Sequence, residues 1–210
     1  MKAFIFDLDN TLYSSELQVF PLIDARINDY MYSRLNIPEQ EVDKLRRLYW
    51  KIYGVTMQGL MRHHGADPED FLSYVHNLDL RDYLKPDPEL RNALQNIDAP
   101  RVIFTNATRE HALSVLNILE LQDLFEHIFD IRTESYLPKP RKEPYLRILE
   151  SLNMSGPDCV MVDDLPANLK TAKELGMQTV LVGEANGDQF IDCCVQRVCS
   201  MMEALQVLNR

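Results

Sequence analysis

The chain has 210 residues, 46% hydrophobic and 26% charged, with 7 Gly and 11 Pro. This is ordinary globular composition, enough for one good core plus a smaller accessory unit, and it excludes disorder, collagen and repeat arrays. The 22 Lys and Arg stand against 32 Asp and Glu, a net charge of -10, so the surface field repels nucleic-acid polymers and anionic membranes. It does not exclude small phosphates, because a metal or a few donors can reverse the sign inside a site.

In chain order, the first element is KAFIF, an apolar run ending at Asp7 that reads as a buried strand. The run is too short for a signal sequence, and nothing approaches the ~18 apolar residues of a membrane span. A soluble, cytoplasmic protein with no membrane partner is expected. Over residues 14–84 apolar side chains recur at helical spacing, as in Leu45, Leu48, Tyr49 and Ile52, which predicts a helical insertion after the first strand. Lys85-Pro86-Asp87-Pro88 closes it, since two prolines disfavour continued helix.

Further strands are predicted at RVIF before Thr105, at HIFDI over 127–131, at CVMV before Asp163 and at TVLV over 179–182. Amphipathic stretches over 109–119, 144–152 and 167–175 read as the helices between them. Strand-helix alternation predicts an α/β fold, a Rossmann-like three-layer parallel sheet. The expected division is a core of residues 1–13 and 85–210 and a helical cap of residues 14–84. Residues 184–192 read as a peripheral connection and 200–208 as an amphipathic packing helix. The cysteines, Cys159, Cys193, Cys194 and Cys199, have neither CxxC spacing nor accompanying histidines and read as reduced, small buried hydrophobes, with a redox-active pair at Cys193 and Cys194 as the alternative.

Polar residues collect where the strands stop, and in open parallel sheets the ligand sits beyond the carboxyl ends of the strands. Asp7 and Asp9 follow the first strand, Thr105 and Asn106 the second, and Asp163 and Asp164 the fourth. A single acidic pair would be read as a turn. Two such pairs at one sheet edge are costly unless a cation or a catalytic need holds them, and their oxygen chemistry suits Mg²⁺ better than Zn²⁺.

Four ordered motifs carry a resemblance: Asp7-Leu8-Asp9-Asn10-Thr11, Ile103-Phe104-Thr105-Asn106, Lys139 within Pro138-Lys139-Pro140, and Asp163-Asp164 with Asn168. In these the chain resembles the haloacid dehalogenase (HAD) superfamily of phosphohydrolases, whose members insert a cap just after the first motif. The resemblance implies that Asp7 attacks phosphorus to form an aspartyl-phosphate, and that Asp9 protonates the leaving oxygen and then deprotonates water. It implies Mg²⁺ held by Asp7, Asp164 and the Asp9 backbone carbonyl, with Asp163 a weaker ligand, and phosphate met by the Thr105 hydroxyl, the Asn106 N–H and the Lys139 ammonium. Asn168 stands where the superfamily often has Asp; orienting Lys139, orienting a metal-bound water and starting a helix all stay open for it. An acid at Asp9 separates this chain from the dehalogenases, which lack it.

Over the insertion, Tyr53-Gly54-Val55-Thr56-Met57-Gln58-Gly59-Leu60, with Tyr83-Leu84-Lys85-Pro86-Asp87-Pro88, is similar to the pyrimidine 5'-nucleotidase-like branch. That implies hydrolysis of nucleoside monophosphates such as UMP and CMP. Trp50, Tyr53 and His63 are the candidate substrate contacts, although Tyr49 and Trp50 also fit a core role and His63 and His64 a helix end. Gly54 and Gly59 are candidates for a tight bend or a close approach to the sheet. A sugar-phosphate phosphatase, a phosphoglucomutase-like phosphotransferase and a non-catalytic phosphate-binding protein are the alternatives.

Overall fold

The computed structural model describes residues 3–184 and 187–201. Its centre is a six-stranded, all-parallel sheet in the order β3-β2-β1-β4-β5-β6. The strands are β1 (Ala3–Phe6), β2 (Arg101–Phe104), β3 (His127–Phe129), β4 (Cys159–Asp163), β5 (Gln178–Val182) and β6 (Cys193–Val195). The first five coincide with the apolar runs. At three residues, β6 is too short to declare itself by pattern; it forms because Val180, Leu181 and Val182 offer an open edge to Cys193, Cys194 and Val195. That pairing leaves Cys193 and Cys194 half-buried on a strand, more exposed than their reading as buried hydrophobes, while Cys159 is buried in β4.

Alternation along the strands makes two cores. Phe4, Phe6, Ile103, Val160, Val162, Val180 and Val182 face one side, and Ala3, Ile5, Val102, Phe104, Cys159, Met161 and Leu181 the other. The first side packs on α5 (Pro88–Gln95) and α6 (Arg109–Ile118), through Leu90, Leu94, Ala112 and Val115. The second packs on α7 (Lys142–Leu152) and α8 (Pro166–Glu174), through Tyr145, Ile148, Leu169 and Ala172. This is the expected three-layer arrangement. The chain order reverses between β1 and β4, and that switch point opens the crevice at their carboxyl ends.

Between β1 and α5 the chain is helical, with α1 (Val19–Ser33), α2 (Glu39–Tyr53), α3 (Thr56–His64) and α4 (Pro68–Val75). Its exit is built by capping: Asp87 accepts hydrogen bonds from Glu89 N and Leu90 N at 3.0 Å, and Pro88 opens α5, so the second proline starts a helix. Gly54 ends α2 with φ at +85°, and a Cβ there would stand 3.1 Å from the Lys139 carbonyl oxygen, so this glycine serves both bend and close approach. Gly59 makes its close approach elsewhere, to Tyr49 of α2, whose Cγ a Cβ would meet at 2.1 Å. The predicted helix over 200–208 lies outside the described residues except for Ser200 and Met201, where Val198–Ser200 forms a 3-10 turn. Among the described residues no helix is long and apolar enough to cross a membrane.

Polar ties join the helical segment to the loop after β3. Gln58 Nε2 donates to the Tyr136 carbonyl at 2.6 Å, and Glu69 accepts from Arg132 at 2.7 Å twice and from the Tyr136 hydroxyl at 2.7 Å. These hydrogen bonds hold the Glu69 carboxyl down at about 2, below its ordinary 4.5. A depressed acid stabilises the fold above its ordinary value, and that stabilisation is lost as pH falls through the folded value. Thermal melts of Glu69→Gln should therefore lie below wild type at pH 6, by no more than about 1 kcal/mol for so exposed a group, with the gap closing between pH 4.5 and 2. A gap that does not change with pH would count against the ion pairing.

Candidate active site

The site is built by strands ending together. Phe6 pairs with Val162, and Asp7 N donates to the Val162 carbonyl at 2.9 Å, so Asp7 emerges beside Asp163. Lys139 comes from the loop between β3 and α7. Its ammonium, only 1% exposed, donates to Asp7 Oδ1 at 2.6 Å, to Asp163 Oδ2 at 2.8 Å and to the Phe104 carbonyl at 2.8 Å. All three of its protons are thereby used. Burial would push this amine down, but Asp163 and Asp7 outweigh burial and hold it well above its ordinary value, firmly charged.

Asn106 sets the lysine's backbone. Its Oδ1 accepts from Lys139 N at 2.8 Å and its Nδ2 donates to the Lys139 carbonyl at 3.3 Å, neither of which uses the Asn106 backbone N–H. Thr105 is buried, and its hydroxyl oxygen accepts from Ala107 N at 3.0 Å, leaving its proton to be given. Asn168 is tied to the lysine's acidic partner: its Nδ2 donates to both Asp163 oxygens, at 2.9 and 3.0 Å. It therefore reaches Lys139 through Asp163, and it is no helix cap, because α8 begins at Pro166 after Leu165.

Oxygens of Asp7, Asp163 and Asp164 lie within 4.8 Å of one another. Burial drives Asp7 well above its ordinary value despite Lys139, with the neighbouring acids adding to the rise. Burial, then Asp163, pushes Asp164 up to about 6. With every carboxyl ionised, one ammonium faces three carboxylates, and the surplus of negative charge suits a hard divalent cation with oxygen ligands. Asp163 is committed elsewhere: besides Lys139 and Asn168, it accepts from Leu165 N at 2.9 Å. Asp7 and Asp164 remain the side chains able to hold a cation, bridged by the Thr11 hydroxyl at 3.2 and 3.5 Å. The carboxyl of Asp9 stands outside this cluster.

Asp9 has partners that the motif reading missed. Its Oδ1 accepts from the Tyr13 hydroxyl at 2.5 Å and bonds His111 Nε2 at 2.8 Å. Burial raises the Asp9 carboxyl, but the charge and hydrogen bond of His111, with the bond from Tyr13, bring it below its ordinary value. One signal for His111 existed in the sequence: it is the third residue of α6, after its cap Thr108, where the positive end of the helix dipole disfavours a histidine without an acidic partner. Tyr13 follows Asp9 by four residues, and nothing in the spacing alone selects it.

The proposed substrate contacts are not drawn into this constellation. Trp50 is 56% exposed on α2, and Tyr53 bonds His63 through its hydroxyl and Nε2 at 2.7 Å. Tyr49 is buried and stacks on His63 at 5.4 Å, so these rings chiefly satisfy one another. His63 and His64 close α3 before Gly65, the helix-end placement that also fitted the sequence.

The sheet order and the inserted helices define an α/β fold with an acidic crevice at its carboxyl edge, and the sequence supplies the class: residues 1–176 match the haloacid dehalogenase-like hydrolase family, to which this chain belongs. Among curated relatives, it is 29% identical over 201 residues to phosphate metabolism protein 8 of Saccharomyces cerevisiae, covering 86% of this chain and 61% of that protein. The chain thus spans about three fifths of the yeast protein's length. It is 26% identical to a phosphorylated carbohydrates phosphatase of Thermotoga maritima, covering 86% of this chain and 84% of the other. The crystal structure of a HAD phosphatase from Thermococcus onnurineus superposes with a TM-score of 0.66 at 20% identity, covering 98% of each chain, a likeness of fold.

Proposed function

We propose that this chain is a Mg²⁺-dependent phosphomonoester hydrolase using Asp7 as nucleophile. The observation that carries the reading is the buried Asp7 carboxylate, held at Oδ1 by the Lys139 ammonium at 2.6 Å while an oxygen of Asp164 lies within 4.8 Å. A buried cluster of acids with a lysine is weakly explained by stability, because well-packed apolar residues in place of the whole ion-paired set are often as stable or more so. In the first step an Asp7 oxygen attacks phosphorus, and the ester bond breaks as the leaving oxygen takes a proton from Asp9. In the second, water gives a proton to Asp9 and attacks phosphorus, releasing phosphate and restoring Asp7. Lys139, the Thr105 hydroxyl and the Asn106 N–H stabilise the phosphoryl oxygens. Asp7, Asp164 and the Asp9 backbone carbonyl would hold Mg²⁺, which supplies further charge neutralisation at phosphate.

The substrate in this reading is a small phosphorylated metabolite, and the division into a core of 1–13 and 85–210 and a cap of 14–84 belongs to the same proposal, as does a cytoplasmic location. Nucleoside 5'-monophosphates, above all UMP and CMP, are the specific reading, supported by the cap motifs. Sugar phosphates are the second, favoured by the Thermotoga maritima relative, which is named for phosphorylated carbohydrates. The test is phosphate release from UMP, CMP, dUMP, AMP, GMP and several sugar phosphates, with Mg²⁺ and with EDTA. Metal-dependent release greatest on UMP and CMP is expected. Release confined to sugar phosphates keeps the chemistry and replaces the substrate; isomerisation without continuous release makes it a phosphotransferase, and phosphate binding without turnover refutes an enzyme.

A further inference from the structure

We infer that Tyr13 and His111 position Asp9 so that its Oδ2, and not its Oδ1, exchanges the proton with the leaving group and then with water. The inference rests on the phosphatase reading above. Both contacts converge on Oδ1, at 2.5 Å from the Tyr13 hydroxyl and 2.8 Å from His111 Nε2, while Oδ2 takes part in no hydrogen bond among the described residues. An oxygen that already accepts two hydrogen bonds has its in-plane lone pairs occupied, so an added proton goes to the other oxygen. When Asp9 is protonated at Oδ2, Oδ1 is a carbonyl oxygen to which Tyr13 and His111 still donate. When Oδ2 has given its proton to the leaving oxygen, the same donors hold the carboxylate, and Oδ2 recovers a proton from the attacking water. One fixed pair of donors thus serves both steps, and no proton is gained or lost over the cycle.

Three parts of the chain combine in this support. Tyr13 follows β1, His111 belongs to α6, and His76, which caps the end of α4, lies against the His111 ring with centroids 4.8 Å apart and planes tilted by 36°. The helical segment therefore backs the histidine that orients the acid. His111 is buried at 3% exposure, and placing an imidazole there is otherwise costly. Tyr13 and His111 are positioning residues, acting on the reaction through Asp9.

The test compares His111→Leu, His111→Gln and Tyr13→Phe with wild type, in Mg²⁺, on p-nitrophenyl phosphate and on an alkyl ester, UMP or ribose 5-phosphate. An alkoxide needs the Asp9 proton to leave, whereas p-nitrophenolate departs without it. In single turnovers His111→Leu should lower the rate on the alkyl ester by about 10- to 100-fold, with KM changed less than about threefold, while the burst of p-nitrophenolate falls less than about threefold. His111→Gln, which keeps a donor, should recover most of the loss, and Tyr13→Phe, which deletes only a hydroxyl, should show the same selectivity. Equal losses on both esters, or losses confined to KM, overturn the inference. If wild type cleaves neither ester, the phosphatase reading itself fails and the inference with it.

Discussion

Asp7→Asn should abolish turnover, lowering phosphate release by at least about 10⁴-fold, because the amide keeps the shape of the carboxyl and loses the nucleophile. The same variant should be more stable than wild type when metal is absent. Burial and the neighbouring acids raise the Asp7 and Asp164 carboxyls. A raised acid stabilises the fold fully below its ordinary value of 3.8 and gives that stabilisation up as pH climbs through the folded value, at about 6 for Asp164. In EDTA the melting temperature of Asp7→Asn should therefore exceed that of wild type, and the difference should widen from pH 4 towards neutrality. Added Mg²⁺ should narrow it by stabilising wild type alone. Activity retained in Asp7→Asn would remove the nucleophile from the mechanism, and a lower melting temperature in EDTA would contradict the electrostatic account of the crevice.

Lys139→Met should be the most destabilising substitution of the site. It removes the one ammonium among Asp7, Asp163 and Asp164 and leaves the Phe104 carbonyl without its donor. Breaking a buried ion pair by deleting one partner costs about 3–5 kcal/mol, because the remaining charge stays buried. Adding Asp163→Asn should recover much of that stability, since Asp163 faces Lys139 and Asn168 and is fully buried. It should not recover activity, expected to fall by about 10²- to 10³-fold from the loss of a charge aimed at the phosphoryl oxygens. Chemical denaturation of the single and double variants reads the first claim and phosphate release the second; independent, additive losses would show that Lys139 and Asp163 do not form a unit.

Much of the candidate site was legible because its polar groups sit at strand ends, where an apolar run stops and a polar pair begins. Asp7, Thr105 and Asp163 were each marked in this way. The division of labour within each pair was not. Asp163 and Asp164 are adjacent in sequence, yet Asp163 ends β4 with its oxygens bonded to Lys139, Asn168 and Leu165 N, while Asp164 is left facing Asp7. Strand alternation sends neighbours to different sides, and which side holds the lysine depends on a loop that no local pattern describes. Asn106 likewise serves the Lys139 backbone through its side chain, a contact across 33 positions.

The aromatic groups of the insertion show where residue type alone stops short. Trp50, Tyr53 and His63 looked available for a ligand by residue type alone, but helix packing turns Tyr49, Tyr53 and His63 toward one another and leaves Trp50 on the surface. What the amino-acid sequence determined by itself was the period: short β-branched runs alternating with amphipathic helices, a helical interruption after the first, and carboxylates where runs end. Those follow from burial and local geometry, which each segment carries within itself. Only the tertiary structure decided the partners, because Lys139 meets Asp7 across 132 positions and His111 meets Asp9 across 102. Contacts of that span are set by the sheet order and the crossover loops, and so by the packing of the whole chain.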